Sequence, residues 1–510
     1  MGPGLSSLNL GNNVNPSTQE LLPNPNQLSG TIPTELGKLL GLSSLNLKHN
    51  QLSGNIPRQL GNLDRLTLLD LGQNQLTGTI PPELGNLTER LNTIDLAENQ
   101  LSGNIPRRLG NLKTTMATLD LRSNRLSGNI PRELGNLTKL NHVLLSDNRL
   151  SGTIPPELGN LTLASSGVVF LNDNQLSGVI PTELSDLSNL RRLRLNRNRL
   201  SGAIPTELGN LNNLNDLWLH SNKLTGAIPT ELTTMTSLRD LDLSDNQLSG
   251  AIPPALSNLS NLQYLYLSDN QLSGGIPTAL GSLANLRHLV LNNNQLNGAI
   301  PTALGSLNLF QLSLDNNQLS GGIPTNLNNM YWLFLHNNQL SGEIPTTNLD
   351  GLTNLQELSF WGNSQLTWTS ISTELGKRVD RAALSSLYKG NNGENWRNKE
   401  NWLDSTNLFS FSSWYGVMTN SDGRVSELNL PSNGLTGEIT NALEVMGGLE
   451  SLDLSYNRPL SGTLPVRLRN IASLTSLDIS CTRVSVPDDM DFQDWLGGDG
   501  IDFRRQPCPP

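Results

Sequence analysis

The chain is short of most things that usually announce a function. It has two cysteines, Cys481 and Cys508, in 510 residues. That is too few for a disulfide framework or a cysteine-ligated zinc site, though enough for one bridge near the end. Acidic residues outnumber basic ones, 44 to 34, for a net charge of -10. Nucleic-acid binders show the opposite bias. No apolar run approaches the roughly 20 residues that cross a bilayer. The opening MGPGLSSLNLGNN has neither the basic start nor the apolar core of a secretory signal. Catalytic signatures are missing as well: there is no G-x-S-x-G, no H-E-x-x-H, no phosphate-binding glycine loop and no C-x-x-C. The expectation is a chain that is not an enzyme, with no cofactor, metal or nucleic acid.

What the chain has in excess is one unit copied many times. Leucine and asparagine are heavily used, with 46 Gly and 28 Pro. Aligned on one asparagine, the copies place it at Asn26, Asn50, Asn74, Asn99, Asn124, Asn148, Asn174, Asn198, Asn222, Asn246, Asn270, Asn294, Asn317, Asn338 and Asn363. Most steps are 24 residues, and the others run from 21 to 26. Each copy reads L-x-x-L-x-L-x-x-N-x-L-S-G-x-I-P-x-x-L-G-x-L. In the copy LNDLWLHSNKLTGAIPTEL, Leu217 and Leu219 alternate with Trp218 and His220, the period of a strand with two unlike faces. The two leucines point inward, and Leu214, Leu224, Ile228 and Leu232 close a coil around them. Such a coil cannot bury its apolar face alone and must stack on its neighbours. The recurring Asn is expected to satisfy backbone groups at the bend after the strand. The Gly of S-G suits a tight bend, and the Pro of I-P holds the backbone on the outer side.

This pattern resembles the leucine-rich repeat, and its L-S-G-x-I-P half resembles the plant-type subclass of extracellular receptors and inhibitor proteins. The resemblance implies an α/β repeat solenoid: a leucine-rich repeat superhelix with a concave parallel β-sheet and short helical or 3-10 turns on the convex side. Two interruptions divide it. At residues 5–13, LSSLNLGNN reads as a partial first coil with no cap before it, so Leu5, Leu8 and Leu10 are expected to leave an apolar edge, either because the chain is incomplete or because a partner covers it. The second interruption lies between Asn363 and Asn433. There, a helical pattern through Ala382, Leu384 and Leu387 precedes W-x-G-V and G-R-V. This resembles the N-terminal capping module of plant and protist repeat proteins, with Trp396, Trp402 and Trp414 as its core but without the usual paired cysteines. A cap in mid-chain implies two tandem segments: residues 1–370, with about fifteen repeats, and residues 371–510, with the cap, about three further repeats and a closing segment.

Function is then sought on the strand face. Adjacent strands lie about 4.8 Å apart, so equivalent positions of successive repeats are neighbours. The first third of this face is small and acidic, and from Phe170 onward it turns aromatic and charged. Of the eleven aromatics in residues 1–370, seven fall here. The candidate ligand-binding residues are Phe170, Arg192, Arg194, Asp216, Trp218, His220, Asp240, Asp242, Tyr264, Tyr266, Trp332, Phe334 and Trp361. Exposed aromatics beside Arg are typical of interaction hot spots. The expected function is recognition of a protein, peptide or glycan on the concave face of a secreted or cell-surface protein. The alternative is a structural subunit of a filament, surface layer or larger complex, assembled homotypically or with partners through exposed solenoid ends. N-x-S/T sequons at Asn86, Asn136, Asn160 and Asn258 all fall twelve residues after a ladder asparagine and are candidate glycosylation sites. A Cys481–Cys508 disulfide is expected to pin the tail over the final coil.

Overall fold

The computed structural model describes residues 5–11, 26–112, 116–164, 166–367, 371–403, 411–498 and 500–508. Asn13 and residues 368–370, where the sequence places the division between segments, lie outside them. The chain's compact units are Met1–Ser273 and Gly274–Pro510, each built from stacked coils.

In the first unit each coil contributes one short strand to a parallel sheet. Eleven such strands are described, from Ser7–Asn9 through Asp216–Trp218 to Tyr264–Tyr266. A second set of short parallel strands follows the bend, as in Arg199–Ala203 paired with Lys223–Gly226. Each coil then closes with a five-residue 3-10 turn entered from a proline, such as Thr206–Asn210 after Pro205. The proline's fixed φ and missing N–H suit that entry.

The core is a column of leucine. Leu214, Leu217, Leu219, Leu224 and Leu232 are fully buried, and Ile228 is 2% exposed. Two glycines mark where the coil is tightest. Gly202 sits at φ +78°, which a side chain would resist, and a Cβ on Gly209 would collide with the backbone of Glu231 in the next turn.

The repeating Asn joins neighbouring coils. The Asn222 amide donates to the carbonyls of Leu195, Leu219 and His220 at 3.1, 3.0 and 3.3 Å, and its oxygen accepts from the Leu200 N–H at 2.9 Å. From Asn50 to Asn338 the residue just before each such Asn is not glycine yet adopts a left-handed backbone, whereas Gly362 precedes Asn363. Ser221, for example, has φ 54°. Each such residue costs on the order of 1–3 kcal/mol, and the asparagine bonds offset that cost.

The second unit continues the same design through His288–Val290, Gln311–Ser313, Trp332–Phe334 and Glu357–Ser359, all parallel. The helix Thr373–Gly390 follows, its first turn capped by Ser372, whose hydroxyl accepts from the Leu375 N–H at 3.1 Å. Trp396, Trp402 and Trp414 are buried together, and Trp402 lies 4.9 Å from Trp396 and 5.2 Å from Trp414 between ring centres. The fully buried Asp380 anchors this module: it accepts from Arg424 Nε at 2.7 Å, from its Nη2 at 2.9 Å and from the Val425 N–H at 3.0 Å. Val417–Thr419 runs antiparallel to Val425–Asn429, and from there Ser451–Asp453, Ser476–Asp478 and Asp502–Arg504 extend a parallel sheet. Cys481 and Cys508 are joined by a disulfide that ties this last strand's continuation to the coil beneath it.

The ladder predicts a measurable penalty. Asn317 is 9% exposed and makes four bonds: to the carbonyls of Leu291, Leu314 and Asp315 and from the Leu296 N–H. Asn317→Ala should cost about 3 kcal/mol, since it leaves buried backbone groups unpaired. The exposed Asn62→Ala should cost less than about 0.5 kcal/mol. Denaturant unfolding of both variants checks this, and equal midpoints would contradict the role of the ladder.

Candidate functional site

The register of the first unit's sheet arranges eight inner-face residues in two columns. Arg192, Asp216, Asp240 and Tyr264 form one, and Arg194, Trp218, Asp242 and Tyr266 form the other. All stand beside buried leucines on strands whose alternate residues face outward, so their side chains are solvent-facing and half-buried or more exposed.

The columns interlock chemically. The Arg194 guanidinium lies 4.6 Å from the Phe170 ring centre and 3.8 Å from that of Trp218, in cation–π contact with both. Arg192 pairs with Asp216 at 3.2 Å, and Arg194 approaches the same carboxylate at 4.0 Å. Asp242 accepts from the Ser244 N–H and hydroxyl at 3.0 and 2.6 Å, with His220 Nε2 at 3.8 Å. Tyr264 and Tyr266 lie with ring centres 6.3 Å apart and planes 12° from parallel.

Three buried polar atoms of this patch have no hydrogen-bond partner in the protein: Arg194 Nε, Trp218 Nε1 and Asp240 Oδ1. Buried polar groups are nearly always satisfied, so such a concentration is unusual. Burial first, and then the charges of Asp216 and Asp242, push Asp240 up to about 6. The Trp218 indole N–H nearby pulls the other way without closing a well-formed hydrogen bond. Burial beside these carboxylates also raises the Tyr266 hydroxyl, to about 12. Burial lowers Arg194 against the opposing pull of Asp216.

The remaining candidates lie in the second unit. Trp332 and Phe334 are half-buried on its strand face. Trp361 is not an exposed contact: it is 4% exposed, with its ring stacked on His336 at 4.5 Å. It follows the strand rather than standing in it, so the next layer covers it. Two residues escaped the sequence reading. Phe310, 42% exposed, packs edge-on to Tyr331 at 5.6 Å, and Tyr331 reaches Trp332 at 5.8 Å. They occupy the phase that holds Arg191, Asn215, Arg239 and Arg287 in other copies, and comparing that column would have found them.

The sequon residues Asn86, Asn136, Asn160 and Asn258 each end a 3-10 turn on the outer side and are exposed. Among the described residues no group of three or more His, Cys, Asp or Glu is arranged to hold a metal ion, and no helix is long and apolar enough to cross a membrane.

Leucine rich repeat models match residues 41–63, 65–87, 90–112, 116–137, 139–161, 189–211 and 308–330. A further leucine rich repeat model matches 212–272, and a two-copy model matches 260–306. The structure is similar to that of the plant peptide hormone receptor RGFR1 in complex with RGF2, at 30% identity and a TM-score of 0.68, covering 99% of this chain and 80% of that one. It is similar to the Arabidopsis receptor kinase HAESA in complex with the peptide hormone IDA and the co-receptor SERK1, at 28% identity and a TM-score of 0.63, over 98% and 78% of the two chains. A leucine-rich repeat protein of Leptospira interrogans is 32% identical with a TM-score of 0.52, over 70% and 80%. A 73-residue stretch is 40% identical to a probable leucine-rich repeat receptor-like protein kinase of Arabidopsis thaliana, spanning 14% of this chain and 6% of that curated relative.

The raised pKa of Asp240 has a consequence for stability. Its folded value of about 6 lies above the ordinary 3.8, so between the two the folded state keeps a proton that the unfolded chain releases. The contribution of this group to stability therefore falls as pH rises from about 4 to about 6, and stays lower above that. Asp240→Asn cannot ionise. It should leave unfolding at pH 4 unchanged and stabilise at pH 7.5 by about 1 kcal/mol, after discounting for solvent screening. Asp70, also raised to about 6 by burial and by Asp95, should respond to Asp70→Asn in the same direction. Thermal melts at the two pH values test this, and no gain at pH 7.5 would contradict it.

Proposed function

Because this chain belongs to the leucine-rich repeat family and carries the repeat pattern of its plant-type members, we propose that it is a non-enzymatic recognition protein of the cell surface or extracellular space. Its ligand is an extended peptide or protein segment lying across the strands between Phe170 and Tyr266. The single observation that carries this reading is the solvent-facing strip in which the Arg194 guanidinium is stacked between Phe170 and Trp218, beside the Arg192–Asp216 ion pair and the parallel rings of Tyr264 and Tyr266. A peptide main chain brings both donors and acceptors to such a surface, and the aromatics supply the anchoring area.

Similarity to the plant peptide hormone receptor RGFR1 in complex with RGF2 and to HAESA in complex with the peptide hormone IDA supports the same reading. In this proposal the repeats of residues 1–370 present the ligand face, and residues 371–510 form a capped second array. Glycans at Asn86, Asn136, Asn160 and Asn258 would stand on the outer side and leave the strand face open.

Peptides selected from a displayed random library against the full chain provide the test. The Trp218→Ala, Tyr266→Ala double variant should bind them at least ~30-fold more weakly, about 2 kcal/mol. Its melting temperature should be unchanged, because both side chains are half-buried on the face rather than in the core. Equal affinity for the variant would sink the assignment of this strip, and unfolding of the variant would show that the two aromatics are structural.

A further inference from the structure

We infer that the cleft between the helix Thr373–Gly390 and the strand face of residues 288–361 is a saccharide-binding site, and that its ligand is a neutral polyhydroxylated chain. It is built from other residues than the strip around Trp218 and does not depend on that reading.

The cleft holds about 500 Å³, within the roughly 300–1,000 Å³ of small-molecule sites. Gln311, Ser313, Asp315 and Phe334 line it from the sheet, and Ser385 and Lys389 from the helix. Its apolar lining is Ala382 and the rings of Phe334 and Trp361, flat surfaces on which the C–H face of a sugar ring can lie. Beside them stand amides, hydroxyls and carboxylates, among them Gln311, Ser313, Asp315 and Ser385, the groups that exchange hydrogen bonds with sugar hydroxyls.

These groups are held in place before any ligand arrives. Gln311 Nε2 donates to Ser313 Oγ at 2.9 Å, and Gln311 Oε1 lies 3.2 Å from His288 Nδ1. Ser313 is 3% exposed and Asp315 8%.

The charges point to a neutral ligand. Glu357 is already paired with Arg381 at 3.4 Å. Asp315 accepts from Asn316 at 2.9 Å and faces His336 Nε2 at 3.6 Å. Burial lowers His336 to about 4, so its ring is uncharged at neutral pH. Lys389 is exposed, and it opposes a cation without providing the clustered positive charge that a polyanion needs.

Beside the cleft stands the aromatic series Phe310, Tyr331 and Trp332, with Trp332 directly across from Gln311 in the sheet. A sugar ring has an apolar C–H face and a hydroxylated edge. Aromatic surfaces next to a polar, preorganised cleft match both at once.

Affinity electrophoresis of the full chain through gels carrying hydroxyethylcellulose, mixed-linkage β-glucan or galactomannan tests the inference, with polygalacturonate as the charged comparison. At least one neutral polysaccharide should retard the protein. Trp332→Ala and the more exposed Phe310→Ala should each weaken that retardation at least tenfold while the melting temperature holds. The isosteric Asp315→Asn should weaken it too, and Trp218→Ala with Tyr266→Ala should not. Retardation by polygalacturonate alone, by none of the gels, or insensitive to Phe310→Ala and Trp332→Ala would overturn the inference. Loss of retardation in the Trp218, Tyr266 variant alone would also overturn it, and that result would move the saccharide to the other strip.

Discussion

Every coil of this solenoid depends on one side chain, the asparagine that follows the inner strand. The chain leaves the strand through a left-handed residue, in nearly every coil one that is not glycine, as at Ser221, Asp245 and Asp269. The next residue's amide then reaches carbonyls of its own bend and of the preceding coil, and its oxygen holds an N–H of the preceding coil. Asn246, for instance, bonds Leu219, Leu243 and Ser244 and accepts from Leu224. One neutral side chain thus satisfies backbone that would otherwise be buried unpaired, and it locks two coils in register.

Constant register frees the outward strand positions to vary. The leucine core repeats almost unchanged, while the face beside it passes from Asp70, Asp95 and Asp120 to Phe170, Arg194, Trp218 and Tyr266. Because each residue's neighbours are set by the sheet spacing, a change at one position alters the field and burial at the next. Asp240 illustrates this: its carboxyl is ordinary in sequence and acquires a raised pKa from its burial on this face and then from the charges of Asp216 and Asp242. The surface is varied in this way without any change to the scaffold that carries it.

The second unit adds contacts that the repeat alone does not encode. The Glu444 carboxylate accepts from the Gly362 N–H at 2.8 Å, and Arg467 donates to the carbonyls of Asn363, Ser364 and Leu366 at 3.3, 3.0 and 2.9 Å. Residues about a hundred positions apart thereby satisfy the last ladder turn of the earlier repeats. The helix Thr373–Gly390 lies on the strand Glu357–Ser359 and supplies one wall of a cleft whose other wall is the sheet.

The sequence by itself determined the repeat period, the leucine core, the asparagine ladder, the tryptophan cluster of the mid-chain module and the set of outward strand positions. All but the tryptophan cluster, which rests on the resemblance to a capping module, follow from contacts between residues about 24 apart, which a single copied pattern specifies. Tertiary structure alone decided that Trp361 is covered and stacked on His336, that Phe310 and Tyr331 join Trp332, and that a helix turns part of a flat face into a cleft. It also decided which polar atoms are buried without partners. The physical reason is that burial and electrostatic environment depend on elements distant in the chain, whose meeting no periodicity records.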